Sequence, residues 1–202
     1  MSITKIFIAA LLIIIGSGIG YVFWYQEWKY SLPTPVPPNY RTVNSGTYVS
    51  IKDIPGLERS SKPLFLHFFN PDCPCSRFNI SQFKSLVKEY GQIIDFAVVV
   101  LASNSRYTEK DIQRKFDLAL PVVFDSSYAA ACGVYSTPQA AIINTDKSLY
   151  YRGNYNKSRY CTDKKTSYVQ IAIDSLLAEQ RKPLFGPAAT VSYGCTLPTC
   201  KK

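Results

Sequence analysis

Histidine occurs once in these 202 residues, at His67, against six cysteines. A soft-metal carrier built on the two closely spaced cysteines, Cys73 and Cys75, would find no histidine downstream to complete its ligand set. No Cys-x-x-Cys-His run is present, so the chain does not itself attach a c-type haem. Acidic residues are also scarce: 14 against 23 basic ones, a formal charge of +9. No zinc-finger or basic-helix pattern accompanies that excess, which argues against nucleic acid as a partner. A solvated basic surface facing acidic partners or lipid headgroups is the better reading. Charged residues make up only 18% and apolar residues 47%, which excludes a disordered chain. There is no internal repeat, and no metal or cofactor beyond the thiols is expected.

One long apolar run is present. Residues 6–25 read IFIAALLIIIGSGIGYVFWY, and about 20 such residues span a bilayer as a helix. Trp24, Tyr25 and Trp28 would form an aromatic belt at the far interface. The competing reading is a signal peptide cleaved near Gly16, Ser17 and Gly18. The run continues past those small residues, which favours an anchor. Residues 1–5 are then a cytoplasmic stub. Flanking charge does not orient the helix, but six cysteines suit an oxidising compartment. The expectation is a single-pass protein of a bacterial inner membrane with its soluble part in the periplasm. Residues 26–45 hold Pro33, Pro35, Pro37 and Pro38 and predict a stiff, extended spacer.

The folded domain is expected over residues 46–182, with a cysteine-containing tail over 183–202. Leu64–Phe69 reads as a strand between Pro63 and Pro71. Helical spacing follows over 77–90, ended by Gly91. Residues 93–102 are apolar apart from Asp95, the mark of a central strand covered on both faces. A helix over 108–116, capped by Thr108 with Asp111 three residues on, precedes a short strand at 122–124. A short helix at 126–132, a hairpin of 140–144 with 149–152, and a closing helix over 167–179 complete the pattern. This is an α/β sandwich around a mixed sheet.

The stretch Asp72-Cys73-Pro74-Cys75-Ser76-Arg77 lies where the first domain strand gives way to a helix. A thiol there faces unpaired N–H groups and the positive end of the helix dipole, which favour the nucleophilic thiolate. Cys73 is the candidate nucleophile and Cys75 its candidate partner. A disulfide between residues i and i+2 closes a small strained ring and is easily reduced, so this centre should oxidise or isomerise. Arg77 would stabilise the thiolate and Asp72 would oppose it. Cys195 and Cys200 flank a turn at Pro198 and suggest a small disulfide loop. Pairing Cys132 with Cys161 is then the economical choice, and Cys161 with Cys195 or Cys200 is a rival.

Two motifs and an insertion resemble the thioredoxin superfamily. One motif is the strand running into cysteines, FLHFFNPDCPC. The other is Cys132-Gly-Val-Tyr-Ser-Thr-Pro138-Gln-Ala-Ala-Ile-Ile. The insertion is the extra helix and strand over 106–124, which resembles the membrane-anchored periplasmic redoxins, including cytochrome-maturation thioredoxins and alkyl-hydroperoxide-reductase-like proteins. The resemblance implies a thioredoxin-like fold and a cis bond before Pro138, facing the active-site cysteines. It implies that Thr137 and Pro138 offer a strand edge to substrate. It also implies that His67 stands about where the family carries a buried proton-shuttling acid, a role that a histidine titrating near neutral pH would suit; the alternative is a core histidine hydrogen-bonded to backbone. The chain departs from the family's Trp-Cys-x-x-Cys. Without a gap Ser76 matches the second cysteine; with one residue deleted, Cys75 does.

The function implied is a membrane-tethered thiol–disulfide oxidoreductase or isomerase acting on protein thiols or disulfides, with an unidentified redox partner. Alternatives are a thiol peroxidase, a copper carrier and a non-catalytic binding module. Asn70-Pro71-Asp72 does not reproduce the residues that peroxiredoxins place before their cysteine.

Overall fold

The computed structural model describes residues 3–102, 106–157, 164–178 and 183–197. It divides into two units, Met1–Pro33 and Thr34–Lys202. The first is a single helix, α1 (Ile3–Ser31). Its segment Ile3–Tyr25, 23 residues, is long and apolar enough to cross a membrane. At 1.5 Å per residue that is roughly 35 Å, more than a bilayer's hydrocarbon core.

In the second unit, β1 (Leu64–Phe69) forms the middle of a five-stranded sheet with β2 (Asp95–Val100), β3 (Val122–Val123), β5 (Gln139–Ile143) and β6 (Leu149–Gly153), in the order β3-β2-β1-β5-β6. β1, β2 and β3 run parallel, and β5 and β6 are antiparallel to their neighbours. Parallel strands need covering on both sides, and side chains alternate along each strand to supply two cores. Phe65 and Phe69 of β1, with Phe96, Val98 and Val100 of β2, pack on Phe83 and Leu86 of α2 (Pro74–Tyr90), Ile112 of α3 (Glu109–Phe116) and Ile173 of α5 (Tyr168–Leu177). Leu66 and Phe68, with Ala97 and Val99, pack on Tyr128, Ala129 and Cys132 of α4 (Ser127–Cys132). This is the mixed-sheet sandwich of the thioredoxin-like fold.

Helix α2 begins at Pro74, three residues earlier than the periodicity alone predicts, with Cys73 as its N-cap. Proline suits that first position because its missing N–H is not needed there.

Two expectations are corrected. The proline-rich segment is not a free spacer up to residue 45. Thr34 is buried, its N–H donates to the Ser192 carbonyl at 2.8 Å, and its hydroxyl donates to the Gly194 carbonyl at 3.1 Å. Tyr40 donates to the Gly133 carbonyl at 2.7 Å and meets the Tyr135 ring edge-on. Nor does the C-terminal segment stand apart. It forms α6 (Pro187–Thr190) and the two-residue strand β7 (Cys195–Thr196), which pairs with β4 (Ser136–Thr137). Asn154 donates to the carbonyls of Ala188 at 3.0 Å and Val191 at 2.6 Å, and Arg152 donates to that of Thr190 at 3.1 Å. Buried backbone groups demand partners, and these side chains supply them to the returning segment.

Candidate functional site

The turn between β1 and α2 is built by short-range hydrogen bonds. The Asn70 side chain accepts from the Asp72 N–H at 3.0 Å, and the Cys73 N–H donates to the Asn70 carbonyl at 3.1 Å. Ser76 is buried, and its hydroxyl oxygen accepts from the Asn70 N–H at 3.2 Å. Ser76 therefore serves the turn, whereas the Cys75 sulfur lies beside that of Cys73.

The observed bond joins Cys73 to Cys195, 122 residues away in sequence, with Cα atoms 6.7 Å apart. Both cysteine pairings expected for these residues, Cys73 with Cys75 and Cys195 with Cys200, are thus corrected. The sulfurs of Cys73, Cys75 and Cys195 all lie within 4.8 Å of one another. Cys75 remains a thiol. The strained-ring case for an oxidising centre rested on the Cys73–Cys75 pairing and does not apply to this bond. Cys73 is only 5% exposed and Cys75 6%, so neither of these sulfurs lies open to solvent. Of the three, Cys195 is the one partly open to solvent.

Thr137 brings the third element to the site. The Thr137–Pro138 bond is cis, and Thr137 pairs with Cys195 across the β4–β7 ribbon. The Gly194 backbone lies so close that a methyl group on its Cα would sit 2.4 Å from the Thr137 carbonyl oxygen. Glycine is the residue that permits such a backbone approach.

His67 is placed differently from its expected role. It is fully buried, stacked on Phe83 with ring centroids 4.3 Å apart, and its Nδ1 lies 2.7 Å from the Tyr155 hydroxyl. Burial without a charged partner pulls its pKa down to about 3. The ring is neutral at physiological pH and does not titrate there, which corrects the expectation of a shuttle tuned to neutrality. It is an aromatic element of the core, and its Nε2 has no hydrogen-bond partner among the described residues.

Asp72 and Arg77 are both exposed. Asp72 accepts from the Tyr107 hydroxyl at 2.8 Å, and the Arg77 N–H donates to the Cys73 carbonyl at 3.2 Å. Cys132 is the last residue of α4 and a fully buried thiol, its pKa pushed up to about 12 by burial. It is bonded to no other described cysteine, and the expected pairing with Cys161 falls outside the described residues. Cys161 and Cys200 lie outside the described residues. The functional residue missed from sequence is Cys195 as the partner of Cys73. Its one signal was the Gly194-Cys195 dipeptide in a segment otherwise read as a tail.

Solved structures share this fold. A hypothetical protein from Sinorhizobium meliloti 1021 superposes with a TM-score of 0.63 at 17% identity, over 78% of this chain and 96% of its own. An uncharacterized conserved protein from Geobacillus kaustophilus gives 0.62 at 20% identity, over 82% and 97%. The C-terminal domain of a Bacteroides thetaiotaomicron protein, provisionally described as a thiol-disulfide oxidoreductase, gives 0.52 at 15% identity, over 67% and 97%. At these identities the likeness is one of fold. No curated protein matches the sequence. Residues 46–199, which contain the Cys73, Cys75 and Cys195 cluster and its cis-proline, match the family described as Domain of unknown function (DUF6436), and the chain belongs to that family.

Proposed function

We propose that this protein is a membrane-tethered thiol–disulfide oxidoreductase acting on protein substrates outside the cytoplasm, with Cys73 as nucleophile. The observation that carries the reading is the sulfur cluster at the start of α2: a Cys73–Cys195 disulfide with the Cys75 thiol within 4.8 Å of both sulfurs. A thiolate formed at Cys73 lies at the N-terminus of a 17-residue helix, whose dipole and unpaired N–H groups stabilise negative charge. Opened by reduction, the pair holds an attacking and a resolving sulfur in place. Cys73 attacks a substrate disulfide, and Cys195 then displaces the substrate from Cys73 and restores the observed bond. Cys75 is the reserve thiol. Thr137 and Pro138 hold the incoming backbone, and Arg77 supports the thiolate against Asp72. The apolar segment Ile3–Tyr25 supports the tether, and the oxidised cysteine pair supports a periplasmic location in a bacterial inner membrane.

The test uses the reduced full-length chain in detergent. Cys73→Ser should abolish exchange with glutathione disulfide. The Cys75→Ser/Cys195→Ser double variant should keep the attack and retain glutathione on Cys73, visible as an adduct by mass spectrometry. Exchange that survives Cys73→Ser would refute the assignment. A second reading, soft-metal binding, is favoured by the same three sulfurs, since reduced thiolates at this spacing suit Cu(I). A Cu(I) titration of the reduced chain, followed by thiolate charge-transfer absorption, separates the two.

A further inference from the structure

The strand edge beside Thr137 already has an occupant, and that occupant carries a cysteine. Strand β7 runs antiparallel to β4, with Cys195 opposite Thr137 and Thr196 opposite Ser136. Its sulfur is bonded to Cys73. Gly194 precedes it where any β-carbon would collide with the Thr137 carbonyl. Upstream, the segment is held by separate contacts. The Ser192 hydroxyl accepts from Gln139 Nε2 at 2.8 Å, and the Ser192 carbonyl accepts from the Thr34 N–H at 2.8 Å. At Gly194 itself, Thr34 gives one reciprocal pair of hydrogen bonds, at 3.1 and 3.0 Å. Beyond that, among the described residues, a two-residue ladder, the disulfide and the packing of Leu197 on the core hold the strand. Opening the disulfide leaves the ladder short enough to release, while the anchor at Ser192 keeps Cys195 within reach.

We infer that Gly194-Cys195-Thr196 is a tethered internal copy of the substrate. The site accepts an extended polypeptide segment with glycine immediately before its reactive cysteine, laid antiparallel on Thr137. This rests on the oxidoreductase reading and extends it to substrate class and product release. With the protein reduced, the Cys73 thiolate attacks the substrate cysteine of a disulfide. The substrate's other sulfur leaves as a thiolate, and a Cys73–substrate disulfide forms. The Cys195 thiolate then attacks Cys73, the Cys73–Cys195 bond forms, and the substrate cysteine leaves as a thiolate that takes up a proton. Two electrons pass from the protein to the substrate disulfide. Because β7 and the substrate compete for one edge, the resolving step also displaces the product.

Two hexapeptides test this, Ser-Tyr-Gly-Cys-Thr-Leu and the same sequence with valine in place of glycine. Each carries its cysteine as a disulfide with thionitrobenzoate, whose release is read by absorbance. The reduced full-length chain and its Cys195→Ser variant, in detergent, are mixed with each peptide and, separately, with glutathione disulfide. The glycine peptide should react faster than the valine peptide by about tenfold or more, the usual discrimination of a close-fitting site against extra bulk. Removing Cys195 should leave that preference in place, since the edge itself sets it. Reaction with glutathione disulfide but equal rates for the two peptides, in both proteins, would overturn the inference and leave the oxidoreductase reading standing. Reaction with none of the three would sink the oxidoreductase reading itself, and the inference with it. If the variant fails to fold, the reduced wild-type chain still compares the two peptides.

Discussion

At the residue scale, His67 shows how environment overrides position. It stands six residues before Cys73, yet aromatic neighbours and full burial make it a neutral ring with a pKa of about 3. The unfolded chain binds a proton there near the ordinary value of 6.5. Between those two values the unfolded state holds the extra proton, so stability falls as pH drops through the window and levels off below it. As His67 is the only histidine, and depressed carboxylates such as Asp125 contribute mainly below about pH 5, the upper half of the window belongs to this one group. In chemical denaturation, stability should fall by about 0.7 kcal/mol per pH unit near pH 6.5, steepening to about 1.4 kcal/mol per pH unit by about pH 5. His67→Phe should flatten that slope. A slope unchanged by the substitution would show that His67 is not the buried neutral group described here.

At the element scale, the parts legible in the sequence are those with a repeating or bounded signal. β1 lies between two prolines, β2 is an apolar run, and α3 opens on a capping box. In that box the Thr108 hydroxyl accepts from the Asp111 N–H at 3.2 Å, and the Asp111 carboxylate accepts from the Thr108 N–H at 3.0 Å. Thr108→Ala should cost about 1 kcal/mol of stability, with faster amide exchange confined to the first turn of α3. An effect spread through the β-sheet would mean that the cap is not what holds this turn. The β4–β7 ribbon was not legible. Each of its strands is two residues long, too short for any periodicity, and its register is fixed by a glycine contact and a disulfide that only the folded chain brings together. The start of α2 was legible in kind but misplaced, because helical spacing of apolar side chains begins only after the proline and cysteines of the first turn. The pairing of Cys73 was also hidden, since six cysteines allow many pairings and nearness in sequence favoured the wrong one.

At the scale of the whole molecule, the Cys73–Cys195 bond ties the start of α2 to the end of the described chain. In the chain-entropy model, a loop closed across 122 residues removes enough freedom from the unfolded state to add about 4–5 kcal/mol of stability. The upstream contacts of Thr34, Gln139 and Asn154 hold the same segment, so they and the disulfide act together on one returning strand. If the bond is this one, Cys73→Ala and Cys195→Ala remove the same constraint. In a Cys75→Ser background, which removes the neighbouring thiol, each should lower the unfolding free energy of the oxidised full-length chain by a similar amount, and adding the second should cost little more than either alone. Sites bonded to one another fail additivity in this way, whereas independent sites add to within a few tenths of a kcal/mol. Cys132→Ala serves as the contrast: it empties part of the core beside α4 without touching the cluster, so its effect should add to that of Cys195→Ala. Losses that summed for the Cys73 and Cys195 substitutions would mean that the two sulfurs are not joined, and the occupied strand edge beside Thr137 would lose its covalent hold.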